Sequence, residues 1–127
     1  VISVCYNNRT IKLRAGEIVI IMGERDAGKT YLLNLIEEAS GDVIVRDEPT
    51  AHDVYDEVER NLIRISIRQN HTDYTVFVSH NVADIVMADR VIFLRDREVY
   101  FDDHPHDFVY SDDEYIRYFL RDRSVFC

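Results

Sequence analysis

The stretch IVIIMGERDAGKT, residues 18–30, decides how the rest of the chain reads. Ile18 to Met22 form a continuous apolar run, the pattern of a strand buried on both faces. Gly23 ends the run, and Gly-x-x-x-x-Gly-Lys-Thr extends from Gly23 to Thr30. Beyond Thr30, the residues Leu32, Leu33, Leu35, Ile36 and Ala39 recur at helical spacing. Strand, glycine loop and helix in this order are the context that a phosphate-binding loop requires. The glycines let the backbone curl so that successive N–H groups converge on an anion, and the helix N-terminus adds partial positive charge. This reading assigns nucleotide contact to Gly23, Glu24, Arg25, Asp26, Ala27, Gly28, Lys29 and Thr30. Lys29 is expected on the outer phosphates, and the Thr30 hydroxyl on a magnesium ion. The alternative is a turn that binds nothing, and the correctly placed strand and helix count against it. Glu24 and Asp26 repel phosphate and Arg25 offsets only part of that, so the expected affinity is lower than in a loop of Ser and Gly.

Outside this stretch the composition sets bounds. A length of 127 residues predicts one domain, and 46% apolar residues suffice for a core. A formal net charge of −9 argues against nucleic-acid binding through a basic surface and against a cationic membrane anchor. Cys5 and Cys127 belong to no Cys-x-x-Cys pair, so no zinc site is expected, and free thiols are preferred to a disulfide between them. No apolar run reaches membrane-spanning length. VISVCYNNRT shows no charged leader before an apolar core, so the reading expects no signal peptide and a cytoplasmic location.

Further strands deliver polar residues to the position the loop occupies. Val43 to Val45 read as a buried strand with Asp47 and Glu48 at its C-terminal end, where carboxylates can hold magnesium and polarise water. Residues 54–69 read as an amphipathic helix whose apolar stripe is Val54, Val58, Leu62 and Ile65, with Arg64 among the polar positions. Thr75 to Val78 form a third strand ending at Ser79-His80, and ligands bind outside the C-terminal ends of such strands. A short helix through Met87, a strand over Arg90 to Leu94 and a return over Val99 to Phe101 follow. His104 and His106 around Pro105 read as a solvated loop. A last helix spans 112–123, with Ser111 as N-cap and Glu114 at the capping-box position.

Taken in order, GERDAGKT (23–30), VIVRDEPT (43–50) and VFVSHNVADIVMADRVIFLRDREVYFD (76–102) resemble the ATP-binding subunits of ABC transporters. The resemblance implies a P-loop NTPase three-layer α/β sandwich with a mostly parallel sheet and antiparallel edge strands. In it the strand before His80 lies between the loop strand and the Asp47 strand, with 90–94 on the other side and the N-terminal hairpin and 97–101 at the edges. It implies ATP and Mg2+ as ligands, with Thr30 and Asp47 on the metal, Glu48 and His80 in catalysis, and Tyr6 stacked on adenine. The tail, Ser111 to Leu120, is similar to the C-terminal end of the lipid-trafficking branch.

The chain also departs from that family. About a dozen residues separate Lys29 from Gly41, where ABC subunits carry a glutamine loop, a helical subdomain and the signature motif. Residues 1–127 therefore read as one compacted ATP-binding core. The expected function is Mg-ATP binding with weak hydrolysis, as the ATP-binding component of an ABC-type system. The alternative is a nucleotide-binding or purely structural α/β module without turnover. By resemblance the partners are a membrane permease, placing the chain peripherally at the inner face, or a second copy. Both couplings are expected to fail without the helical subdomain. Neither nucleic acid nor direct membrane insertion is expected.

Overall fold

A computed structural model of the protein describes residues 2–7, 9–39, 43–47, 57–70, 74–79 and 82–123. Its strands are β1 (Ile2–Tyr6), β2 (Arg9–Leu13), β3 (Ile18–Gly23), β4 (Val43–Asp47), β5 (Tyr74–Val78), β6 (Arg90–Arg95) and β7 (Glu98–Asp103). The helices are α1 (Lys29–Ala39), α2 (Glu57–Asn70), α3 (Pro105–Val109) and α4 (Glu114–Arg123), with a 3-10 turn over Val82–Met87.

The main sheet has the order β4-β5-β3-β6-β7, with β3 parallel to β5 and β6, β4 parallel to β5, and β7 antiparallel on β6. The loop strand is therefore central, as its apolar run requires. Its residues alternate between two cores. Val19 and Ile21 face α1 through Leu32 and Ile36, while Ile18, Ile20 and Met22 pack with Phe77, Phe93, Phe108 and Phe119. All six β3 residues are buried. Each large aliphatic side chain so placed contributes about 1.5–3 kcal/mol. Elements cover the sheet on both faces, the three-layer α/β arrangement expected from the sequence.

Four expectations are corrected, the last of them at the cap of α4. The N-terminal hairpin does not extend the main sheet; β1 and β2 form a separate antiparallel pair. Val4, Tyr6, Ile11 and Leu13 alternate inward, which gives the pair one apolar face, and it stacks with that face in the core beneath α1. Next, α2 is turned opposite to its apolar periodicity. Val58, Leu62 and Ile65 are 68%, 60% and 51% exposed, whereas Arg64 is 3% exposed. The Arg64 guanidinium donates from Nε to Asp84 Oδ1 at 2.7 Å, and from Nη1 to Glu57 Oε1 at 2.9 Å and Asn61 Oδ1 at 2.6 Å. Asp84 is fully buried and also accepts from Ser79 Oγ at 2.5 Å. Burial is the largest influence on the Arg64 guanidinium and lowers its pKa, but the hydrogen bonds to Asp84 and Glu57 outweigh it, so the net shift is upward. A paired charge, with Ile63 packed against the core beside it, thus holds the helix on the body in place of the expected stripe. Third, the His104–His106 loop contains α3, with Pro105 at its first turn and His104 Nδ1 accepting from His106 N at 3.2 Å.

α4 is capped by Asp113 rather than by Ser111. Asp113 Oδ1 accepts from the N–H groups of Tyr115 at 2.9 Å and Ile116 at 3.1 Å, and Ser111 Oγ accepts from Asp113 N. The Tyr100 hydroxyl donates to Asp113 Oδ2 at 2.7 Å. That bond, aided by the backbone donors and Arg95 and opposed by burial, holds the carboxyl below its usual 3.8. A depressed folded-state pKa stabilises above the unfolded value, and the contribution disappears as pH falls through the folded one. In urea melts, Asp113→Asn is expected to be less stable than wild type at neutral pH, with the gap closing as pH falls below the ordinary carboxyl value of 3.8. A gap independent of pH contradicts the charged cap.

Candidate functional site

The glycine loop leaves the C-terminal end of β3 and runs directly into α1. Two of its residues take left-handed conformations, Asp26 at φ 64° and Gly28 at φ 101°. Alternation of this kind turns neighbouring N–H groups toward a common point, as an anion-binding concavity requires. A turn closes the loop through Ala27 N to Glu24 O at 3.1 Å. Lys29 is buried, and its Nζ donates to Gly23 O at 2.7 Å and Glu24 O at 3.2 Å, which spans the loop. Thr30 is exposed on the first turn of α1.

Close packing supports the loop from below. Gly23 pairs in register with Leu94, and a Cβ on Gly23 would lie 2.7 Å from the Leu94 carbonyl oxygen. That neighbour is backbone of the central strand pair and cannot move aside cheaply. Gly23→Ala is therefore expected to cost about 1–3 kcal/mol, read as a fall of several degrees in melting temperature. An unchanged melt contradicts the tight β3–β6 contact. A Cβ on Gly28 would overlap the Tyr6 hydroxyl, so its left-handed conformation and its lack of a side chain are both required.

Tyr6 is fully buried. Its hydroxyl donates to Gly28 O at 3.4 Å, and its ring centroid lies 5.8 Å from that of Tyr31. Burial raises the pKa of its phenol, Arg97 pulls in the opposite direction, and Tyr31 adds to the rise. Tyr6 thus sits under the loop, while Tyr31 is 52% exposed at the edge of a cavity of about 660 Å³. That cavity opens above Gly28, Lys29 and Thr30, and Asn7 and Arg97 close its sides. Sequence reasoning missed Asn7, Tyr31 and Arg97. The signal for Arg97 was present: Asp96-Arg97 fills a two-residue hairpin turn where glycine is usual.

Asp47 ends β4 opposite Val78, and Ser79 N donates to Ile21 O at 3.3 Å. The C-terminal ends of β3, β4 and β5 therefore meet at one sheet edge, beside the glycine loop. Glu48 and His80 lie outside the described residues. Among the described residues, no helix is long and apolar enough to cross a membrane.

The glycine loop thus lies at the C-terminal edge of a mostly parallel sheet covered on both faces, the edge outside which α/β proteins bind ligands. The dimeric structure of a post-hydrolysis state of the ATP-binding cassette MJ0796 bound to ADP and Pi is similar to this chain at a TM-score of 0.63. The match covers 81% of this chain and 95% of that one at 13% identity, so the likeness is one of fold. No protein-family model and no curated protein sequence matches the chain.

Proposed function

We propose that the protein binds Mg-ATP in the cavity over Gly23–Thr30 and hydrolyses it weakly, as a compacted ATP-binding core of the ABC type. The observation that carries this reading is the loop itself. Left-handed Asp26 and Gly28 open directly into α1 at the edge where Asp47 ends β4 and Ser79 follows β5. The similar cassette bound to ADP and Pi supports it through the shared fold.

In this reading Lys29 neutralises phosphate charge and the loop N–H groups bind phosphate oxygens. Thr30 and Asp47 offer a hydroxyl and a carboxylate, the hard oxygen donors that suit Mg2+. The metal's contribution is to neutralise charge on the terminal phosphates. Glu48 orients the attacking water and His80 contacts the terminal phosphate. Tyr6 supports the loop from below, and Tyr31 is the ring with an open face for a base.

A second reading, binding without turnover, is favoured by one observation: the sequence between Lys29 and Gly41 has no room for a glutamine loop or signature motif. Calorimetric titration with Mg-ATP followed by a phosphate-release assay tests both. Saturable binding with slow release that Glu48→Gln removes supports hydrolysis. Binding without release supports the second reading, and no binding overturns both.

A further inference from the structure

The β6–β7 connection presents an arginine where the backbone disfavours one. Arg95 pairs with Glu98 across the turn, and both central residues are left-handed, Asp96 at φ 51° and Arg97 at φ 65°. A two-residue turn of this kind usually takes glycine at its second position, because a long side chain there is strained. Bulky residues held in this region cluster where a structure makes use of them.

Three contacts fix Arg97 in place. Its N–H donates to Ala27 O at 3.0 Å, inside the glycine loop. Its carbonyl accepts from Asn7 Nδ2, and Asn7 is itself left-handed at φ 53°. Its stem lies over Gly28, since a Cβ built there would meet Arg97 Cγ at 3.3 Å and Cα at 3.4 Å. The side chain is exposed and lines the same cavity as Lys29 and Thr30. Among the described residues, no ion pair engages its guanidinium.

We infer that Arg97 is a second cation of the phosphate site, so that a polyphosphate is gripped between Lys29 of the loop and Arg97 of the β6–β7 turn. The inference rests on the nucleotide-binding reading and deepens it. Electrostatics supply the need: Glu24 and Asp26 place two carboxylates in the loop, and Arg25 matches only one of them. A planar guanidinium is suited to phosphate oxygens, and its anchored backbone lowers the entropy lost on binding. The grip depends on phosphate and not on the base.

The test compares wild type with Arg97→Gly, Arg97→Met and Arg97→Lys. Glycine suits the left-handed turn and keeps the fold, methionine keeps the stem over Gly28 without charge, and lysine restores the charge. Calorimetry with Mg-ATP, and with magnesium tripolyphosphate as a base-free probe, is the readout, and thermal melts check folding. The expected result is Mg-ATP and tripolyphosphate binding weakened by about 10- to 100-fold in the glycine and methionine variants, with partial recovery in lysine. Melting temperatures stay within a few degrees of wild type. Wild-type binding that the glycine and methionine variants retain in full overturns this inference and leaves the nucleotide-binding reading intact. A wild type that binds neither probe overturns both.

Discussion

In the proposed Mg-ATP site, Lys29→Ala is expected to lower affinity by about 100-fold or more, read by calorimetry against wild type. The magnitude follows from charge-assisted contacts, each worth about 1.5–3 kcal/mol, made to more than one phosphate by a single ammonium. Two local effects accompany the loss. The carbonyls of Gly23 and Glu24, at 2.7 Å and 3.2 Å from Nζ, lose this donor, which loosens the loop. A mostly buried ammonium is also removed, and relief of its desolvation offsets part of that cost. The two oppose each other in stability but not in binding, so the affinity loss should far exceed any change in melting temperature. Binding within threefold of wild type, in a variant with a native circular dichroism spectrum, would falsify the assignment of Lys29 to the phosphates.

Asp84→Ala destabilises the fold by about 3–5 kcal/mol, a large share of a typical domain's 5–15 kcal/mol. The reason is what remains behind. Arg64 is 3% exposed and loses its buried partner at 2.7 Å, while Ser79 Oγ loses its acceptor. Glu57 still pairs with Arg64 at 2.9 Å, but its side chain is 60% exposed and screened by water. Among the described residues, Nη2 of the guanidinium is buried with no hydrogen-bond partner, and Asn61 Oδ1 holds only Nη1, so loss of Asp84 leaves the charge poorly compensated. The double variant Arg64→Leu, Asp84→Ala is expected to recover part of the loss, because an apolar pair avoids the stranded charge. Urea unfolding gives both values. A loss below 1 kcal/mol in Asp84→Ala, or a double variant weaker than the single one, contradicts the account. The network also reaches the candidate site, since Ser79 directly follows β5 and precedes His80 in the sequence.

The two predictions differ in how they could be foreseen. Lys29 belongs to a local pattern in which an apolar run, two glycines and a helical repeat lie within one continuous stretch. Each part needs only its sequence neighbours to form, so β3, the loop and α1 appear where the sequence predicts them. The order β4-β5-β3-β6-β7 joins strands distant in sequence, so it was available only through the family resemblance, and Asp47 ends its strand at the expected edge.

Arg64 depends on a partner 20 residues away. The apolar repeat of α2 marks one stripe, of which Val58, Leu62 and Ile65 face outward, while Val54 lies outside the described residues. Periodicity identifies residues that share a face and leaves open which face finds the body. The same holds for the β1–β2 pair, whose alternation was visible but whose stacking under α1 was not, and for Tyr6, which fills the space beneath Gly28.

The sequence alone determined the glycine loop between a buried strand and a helix, because curvature, charge and amphipathicity there are properties of adjacent residues. Only the tertiary structure decided what surrounds that loop: Tyr6 below, Tyr31 at its edge, and Arg97 carried in from a turn some 70 residues downstream. The physical reason is that a binding cavity is the space left between distant segments, and that space forms only when the backbones of β1, β3 and β6 are brought together.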